Sequence, residues 1–350
     1  MAIMTVNGPI QKEKLGVTSP HEHALLDIRN QYVGARDDKS IGWNERVCKL
    51  NLEALMNDPY CRSDNLLLDD EEMCLREVML AKKAGLNTFV DVTPSWIGRN
   101  PGYLRRLSNE TGLNVIAGCG LYTQDTHPAW VKDVDEGYLA DIMVRELCEG
   151  IDGTDIRAGI IGEIGTSAEI GDTEQKSLRA SAAAHKETGA PIMIHLFPWK
   201  NNGLEVLNLL FGLGVAPDKI CMCHTDMLLD QEYMRELLKS GVYVEFDNFG
   251  KVFGGMTPHG RFPTEEKRLS VLYNLIDEGY LSRLLASCDV CLKNLLTEFG
   301  GKGYVHILKG ISDLIRCDRK DAQMIFDALL IKNPAEYLDN KKTVLIDERC

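Results

Sequence analysis

The chain has 350 residues, 44% of them apolar and 26% charged, with a formal net charge of −13. This balance suits a globular fold with ample core, and the acidic excess argues against nucleic acid or anionic membrane as a partner for a general basic surface. No run of about 18 or more apolar residues occurs, so no membrane-spanning helix is expected.

The opening MAIMTVNGPIQKEK lacks the basic-then-apolar order of a signal peptide, and the expected compartment is the cytoplasm. The eleven cysteines are then expected as reduced thiols. Cys221 and Cys223, in ICMCHTD, have no second pair at structural-zinc spacing and read as core thiols on a strand.

From the N-terminus onward one unit recurs: a short apolar run, a polar turn, a longer amphipathic segment. The first run, LGVTSPHEH, ends in His21 and His23 with Glu22 between them. On a strand, positions i and i+2 share a side, so both imidazoles face one spot and Glu22 faces away from it. Residues 30–70 are polar and partly acidic, an insertion that either covers a site or builds an oligomer contact, with a homodimer left open. DEEMCLREVMLAKKAG reads as a helix before the second run, NTFVDVT. The third, NVIAGCGLY, ends at Tyr122, and the fourth, RAGIIGEIG, carries Glu163. EQKSLRASAAAHKETG (helix) leads to APIMIHLF with His195, GLEVLNLLFGLG (helix) to KICMCHTD with His224, and DQEYMRELLKSG (helix) to VYVEFDNF with Asp247 and Asn248. The last run, RLLASCDV, ends in Asp289. Several helices stop at Gly, as C-termini commonly do.

Strands alternating with helices imply parallel βαβ units. Eight of them within one domain of residues 1–350 predict a (β/α)8 TIM barrel, with a doubly wound open sheet as the alternative. In both folds the active residues gather at the carboxyl ends of the strands, where His21, His23, Glu163, His195, His224 and Asp289 all fall. One histidine at a strand end is an ordinary core residue; six converging N and O donors are a metal site. A single catalytic zinc takes three protein ligands, so this set points to two divalent ions sharing a hydroxide. Imidazole-rich ligation suits Zn²⁺, with Mn²⁺, Co²⁺ or Fe²⁺ as alternatives. Asp289 can bind one ion and accept the proton of the attacking water.

At these residues the chain resembles the phosphotriesterase family of the amidohydrolase superfamily. The likeness is carried by the early HxH, by His195 and His224 on successive strands, by late Asp289, by the sequence around Tyr122, and by RAGIIGEIG, GGKGYVHIL and KNPAEYL. It is closest to the branch in which GEIG replaces a strand-four lysine. The resemblance implies that His21, His23 and Asp289 serve the more buried metal, and His195 and His224 the more exposed one. The organophosphate-hydrolysing members carry a carbamylated lysine on strand four. Here Gly162 takes that place and Glu163 follows, a one-residue shift that would turn the side chain outward unless a bulge eased by Gly162 restores its aim. Glu163 is expected to bridge the metals unmodified.

The resemblance also puts Tyr122 opposite the metals, either hydrogen-bonding the substrate or simply buried with a satisfied hydroxyl. Asn248 stands where organophosphate hydrolases have a proton-relaying histidine; it and Asp247 are candidates for supporting the metal ligands or contacting substrate. Lys293, and then Lys302, Tyr304 and His306 in GGKGYVHIL, are expected near the mouth, where a lysine would pair with a carboxylate, sulfonate or phosphate; each taken alone is more often an ordinary solvated surface residue. The expected function is metal-dependent hydrolysis of a small ester, lactone or N-acyl (amide) substrate. The alternatives are an organophosphate or phosphate ester hydrolase, and a non-catalytic metal-containing barrel that binds a ligand or partner.

Overall fold

The computed structural model describes residues 2–33, 43–255, 257 and 260–340. Each apolar run forms a short strand: β1 (Thr18–Glu22), β2 (Thr88–Asp91), β3 (Asn114–Cys119), β4 (Ile160–Gly165), β5 (Ile192–His195), β6 (Ile220–Met222), β7 (Tyr243–Phe246) and β8 (Leu284–Ala286). Every ladder is parallel and joins strands that are consecutive in the chain, from β1–β2 to β7–β8. This is the order of a (β/α)8 barrel and excludes the doubly wound alternative, in which the strand order reverses.

Alternation along the strands sorts the residues into two cores. Ile116, Ile160, Met193, Cys221, Cys223, Tyr243 and Leu285 pack together inside the barrel. Phe89, Val115, Ala117, Ile161, Ile192, Ile194, Val244 and Phe246 face outward, into the layer shared with the helices. That layer is covered by α1 (Glu71–Lys83), α2 (Pro101–Thr111), α3 (Glu136–Cys148), α4 (Asp172–Thr188), α5 (Gly203–Gly212), α6 (Gln231–Lys239) and α7 (Glu265–Asp277). Asp70, Asp135 and Asp230 cap α1, α3 and α6 by accepting from backbone amides three residues on. The two cysteines of ICMCHTD are both buried inside the barrel, and the described cysteines carry no disulfide.

Two features were not apparent from the apolar runs. Ala2–Thr5 and Gly8–Gln11 pair as an antiparallel hairpin, and its Ile3 joins the barrel's interior cluster, closing the end opposite the active-site face. Residues 43–70 form short elements, including a helix at Leu52–Asn57 and a two-residue strand, Leu67–Leu68, paired with Leu26–Asp27. The rest of the expected insertion, residues 34–42, lies outside the described residues.

The seam of the barrel is held differently from its other junctions. Among the described residues no ladder joins β8 to β1. Instead the Glu22 carboxylate accepts from the backbone amides of Cys288 (3.1 Å) and Val290 (2.9 Å) and from the Ser19 hydroxyl (2.8 Å). Glu22 does face away from the histidines beside it, but it works as the stitch that fixes the end of β1 against the chain leaving β8. Its truncation removes the acceptor of two buried amides, at about 1–3 kcal/mol each. Glu22→Ala should therefore lower the midpoint of urea unfolding markedly. A midpoint equal to that of the unaltered chain would show that the seam does not need this carboxylate.

Candidate metal centre

Strand parity delivers the donors to one end of the barrel. His195 follows Met193 by two residues, Cys223 follows Cys221, Asp247 follows Glu245, and Asp289 follows Ser287, each pair keeping to the interior face. His224 and Asp289, just past their strands, adopt positive φ (59° and 43°), an uncommon conformation for residues other than glycine.

Glu163 is the case where plain alternation fails. The β4–β5 register shifts between Ile161 and Ile164, and Gly162 sits at φ 133°. A Cβ at Gly162 would lie 2.5 Å from the Met193 carbonyl oxygen, so only glycine fits this irregularity. The local kink swings the Glu163 carboxylate into the barrel mouth. Its Oε1 lies 3.4 Å from His23 Nε2, and its Oε2 lies 3.0 Å from His195 Nδ1, 3.5 Å from His21 Nε2 and 3.6 Å from His224 Nε2. Asp289 Oδ1 lies 3.2 Å from His23 Nε2 and 3.7 Å from His21 Nε2. All six residues are buried.

Three groups of donors, each close enough to share one ion, overlap here: His21, His23 and Glu163; His21, His224 and Asp289; Glu163, His195 and His224. Both ring nitrogens of His21 and Oδ1 of Asp289 are buried without a hydrogen-bond partner. Buried polar atoms are normally paired, so these orphaned atoms, of which His21 Nε2 and Asp289 Oδ1 lie 3.7 Å apart, fit divalent cations.

The electrostatics agree. Burial opposes a charged His21, yet Asp289, Glu245 and Glu163 outweigh it and lift its pKa to about 10. Burial likewise opposes ionised Glu163 and Asp289, but His195 beside the first, and Lys251 and His21 beside the second, hold both well below the usual carboxylate range. Burial opposes a charged His224 too, but Asp247 and Glu163 raise it, whereas burial pushes His195 down. The cluster thus keeps its carboxylates ionised and draws positive charge onto His21 and His224, a demand that metal cations satisfy better than protons.

A supporting layer orients the ligands. His224 Nδ1 lies 3.0 Å from Asp247 Oδ1, which leaves Nε2 facing the centre, and His23 Nδ1 is 2.9 Å from the Thr93 hydroxyl. Below His21, its Nδ1 stands 3.5 Å from both Glu245 Oε2 and Asp247 Oδ2. Glu245 also accepts from the Cys223 thiol (3.4 Å) and the Ser287 hydroxyl (3.0 Å). His21, Cys223, Glu245 and Asp247 thereby form a fourth possible donor group, deeper in the barrel. Glu245 was legible in principle, as a charged residue two positions before Asp247 on the inward parity.

The centre opens into a cavity of about 350 Å³. Tyr122 lines it, with its hydroxyl 3.3 Å from His195 Nε2 and from Gln31 Nε2. Asn248 lines it too, but donates its amide to Asp226 and Asp247 (2.6 Å each); an amide so committed serves to brace the strand ends. The other four residues expected at the mouth are not on its wall. Tyr304 is buried, with its hydroxyl donating to the His23 carbonyl (2.7 Å) and its ring edge-on to Phe89. Lys293 pairs with Asp64 at 2.7 Å. Lys302 is exposed and outside the lining. The loop after β8 folds down against residues 63–69 and α1 instead of rising over the cavity. His306, from the same loop, contacts Glu265 at 2.5 Å. The walls come from elsewhere: Gln31, Tyr32 and Tyr60 flank the segment after β1, Trp199 and Phe262 add aromatic faces, and Lys251 follows β7. No spacing rule in the sequence marks these residues, because each comes from a loop.

A family model for the phosphotriesterase family matches residues 1–338. An N-acetyltaurine hydrolase from Tetraodon nigroviridis is 36% identical over 97% of this chain and 98% of its own. Among solved structures, a resiniferatoxin-binding protein from Rhodobacter sphaeroides superposes with a TM-score of 0.92 at 34% identity, covering 97% of this chain and 95% of its own. A lactonase from Listeria monocytogenes gives 0.80 at 25% identity, covering 98% and 100%. With its eight-stranded barrel and its cluster of metal-ligating side chains at the strand ends, the chain belongs to the phosphotriesterase family and is a metal-dependent hydrolase of small molecules.

Proposed function

We propose that the protein hydrolyses small N-acylated amines at a binuclear centre whose natural ion is zinc. The observation that carries this reading is the position of the Glu163 carboxylate, with one oxygen toward His23 and the other toward His195 and His224. A carboxylate so placed suits two ions better than one. We assign His21, His23 and Asp289 to one ion, His195 and His224 to the other, and Glu163 to both. When bound, such ions supply an activated water and polarise the scissile carbonyl. Amide substrates are preferred over lactones because the N-acetyltaurine hydrolase aligns over nearly the whole chain at higher identity than the lactonase. Imidazole-rich ligation favours zinc, and described cysteines that form no disulfide accord with the cytoplasm.

The side chains divide the work. Asp289, with Oδ1 free of hydrogen bonds, takes the proton of the attacking water. Tyr122 offers its hydroxyl to the carbonyl oxygen. Asp247 and Thr93 hold the imidazoles of His224 and His23 in their ligating tautomers. Asn248 has no titratable proton, so the proton accepted by Asp289 leaves by a route that does not include residue 248.

Dialysis against a chelator should abolish hydrolysis of N-acetyltaurine and related N-acyl compounds, and about two equivalents of Zn²⁺ should restore it without added bicarbonate. A metal-free protein with full activity would overturn the reading. Asp289→Asn is expected to lower kcat by about 10²–10⁴-fold while the circular dichroism spectrum is retained; near-normal turnover would remove Asp289 from the proton-accepting role. Glu163→Gln should weaken metal binding by about 10–100-fold, measured by metal analysis after graded dialysis. Unchanged retention of both ions would rule out the bridge.

A further inference from the structure

Lys251 is the only lysine or arginine among the described residues that line the cavity, and no part of the scheme above uses it. It is buried, and its ammonium contacts Asp289 Oδ2. Its backbone is fixed on both sides: its amide donates to the Asn248 carbonyl (3.2 Å), and its carbonyl accepts from Arg268 Nη1 (3.4 Å). Arg268 is itself held by Asp226 at 3.1 Å. A loop residue anchored in this way presents its side chain at a set point above Asp289.

A lysine is a costly choice if its task is only to steer Asp289. A neutral donor would hold Oδ2 equally well without adding charge beside divalent ions. Two such ions already bring more positive charge than Glu163, Asp289 and a hydroxide cancel, and the ammonium adds to that excess. An ammonium also carries three donors; Asp289 Oδ2 and the Cys291 thiol engage two. The surplus charge and the spare donor both call for an anion, and the cavity wall gives it a place to sit. Tyr60, Trp199 and Phe262 also line the cavity and offer aromatic faces suited to the uncharged part of a ligand.

We propose that Lys251 binds an anionic group of the substrate, a carboxylate or sulfonate that lies within a few bonds of the scissile nitrogen. The short tether follows from the contact between Lys251 and Asp289, which puts the anion beside the reacting centre rather than at the rim. This deepens the amide-hydrolase reading and rests on it for the identity of the scissile bond. It makes the preferred substrates N-acylated amino acids or amino sulfonates, and disfavours their neutral amides.

The test separates binding from turnover. Calorimetry on the metal-loaded protein would use the N-methylsulfonyl derivatives of β-alanine, of its sulfonate counterpart and of β-alaninamide, in each of which a sulfonyl group replaces the scissile N-acyl group. The wild-type chain should bind one or both anions at least tenfold more tightly than the amide, and the tighter one identifies the group. Lys251→Gln, which keeps a donor for Asp289 but loses the charge, should erase that preference with both metal equivalents retained; Lys251→Arg should preserve it. Equal affinity for anion and amide in the wild-type chain would overturn the proposal, as would a preference that survives in Lys251→Gln. If Lys251→Gln loses metal, the decision passes to Lys251→Arg, whose loss of the preference would also count against it. Hydrolysis of N-acetyl-β-alanine and of its amide is measured in parallel. Charge-dependent binding with neither compound cleaved would leave the anion site standing and remove the amide-hydrolase reading instead.

Discussion

Ionised carboxylates buried at the mouth of the barrel are the constraint on which the rest of the structure depends. Glu163 and Asp289 lie within a few ångströms of each other's imidazole partners, and Asp247 adjoins them. Removing charge from water costs several kcal/mol per ion unless it is compensated. Compensation comes partly from Lys251 at Asp289 and Arg268 at Asp226. The remainder falls on four histidines; both ring nitrogens of His21, and Oδ1 of Asp289, have no hydrogen-bond partner. Metal ions would complete this arrangement, and the surrounding architecture holds the donors close enough together to share them.

That architecture uses three separate devices. Strand parity brings His195 and Asp247 to the mouth at no local expense, because each continues the interior face of its strand; Asp289 reaches it with a positive φ just past β8. At β4 parity points the wrong way, and the kink at Gly162, which admits no Cβ, corrects it. At the seam there is no ladder between β8 and β1, so the Glu22 carboxylate fixes the strand bearing His21 and His23 against the chain bearing Asp289. Glu22 therefore serves the centre from outside it, by setting the relative positions of residues that must share an ion.

Legibility in the sequence follows from which device is at work. Apolar runs of four to eight residues with helices between them carried the barrel, since local period is the main determinant of parallel strands, and every one of the eight runs contains a strand. The chemistry at the strand ends was legible for the same reason. The hairpin that closes the barrel floor was not, because MAIMTVNGPIQ reads equally as an irregular leader. The cavity walls were the least legible. Tyr304 and Lys293 look like residues of a solvent-facing loop, yet their burial is decided by long-range partners, the His23 carbonyl and Asp64, that no local pattern announces. Lys251 was missed for the converse reason: FGK after a strand looks like ordinary turn polarity, and only the fold brings it to Asp289.

The central claim is that two ions sit in the upper donor groups rather than in the deeper one formed by His21, Cys223, Glu245 and Asp247. Anomalous diffraction at the zinc edge from crystals of the metal-loaded protein tests this most directly. The account predicts two peaks flanking the Glu163 carboxylate, one beside His21, His23 and Asp289 and the other beside His195 and His224. A single peak, or a peak beside Cys223 and Glu245, would contradict it.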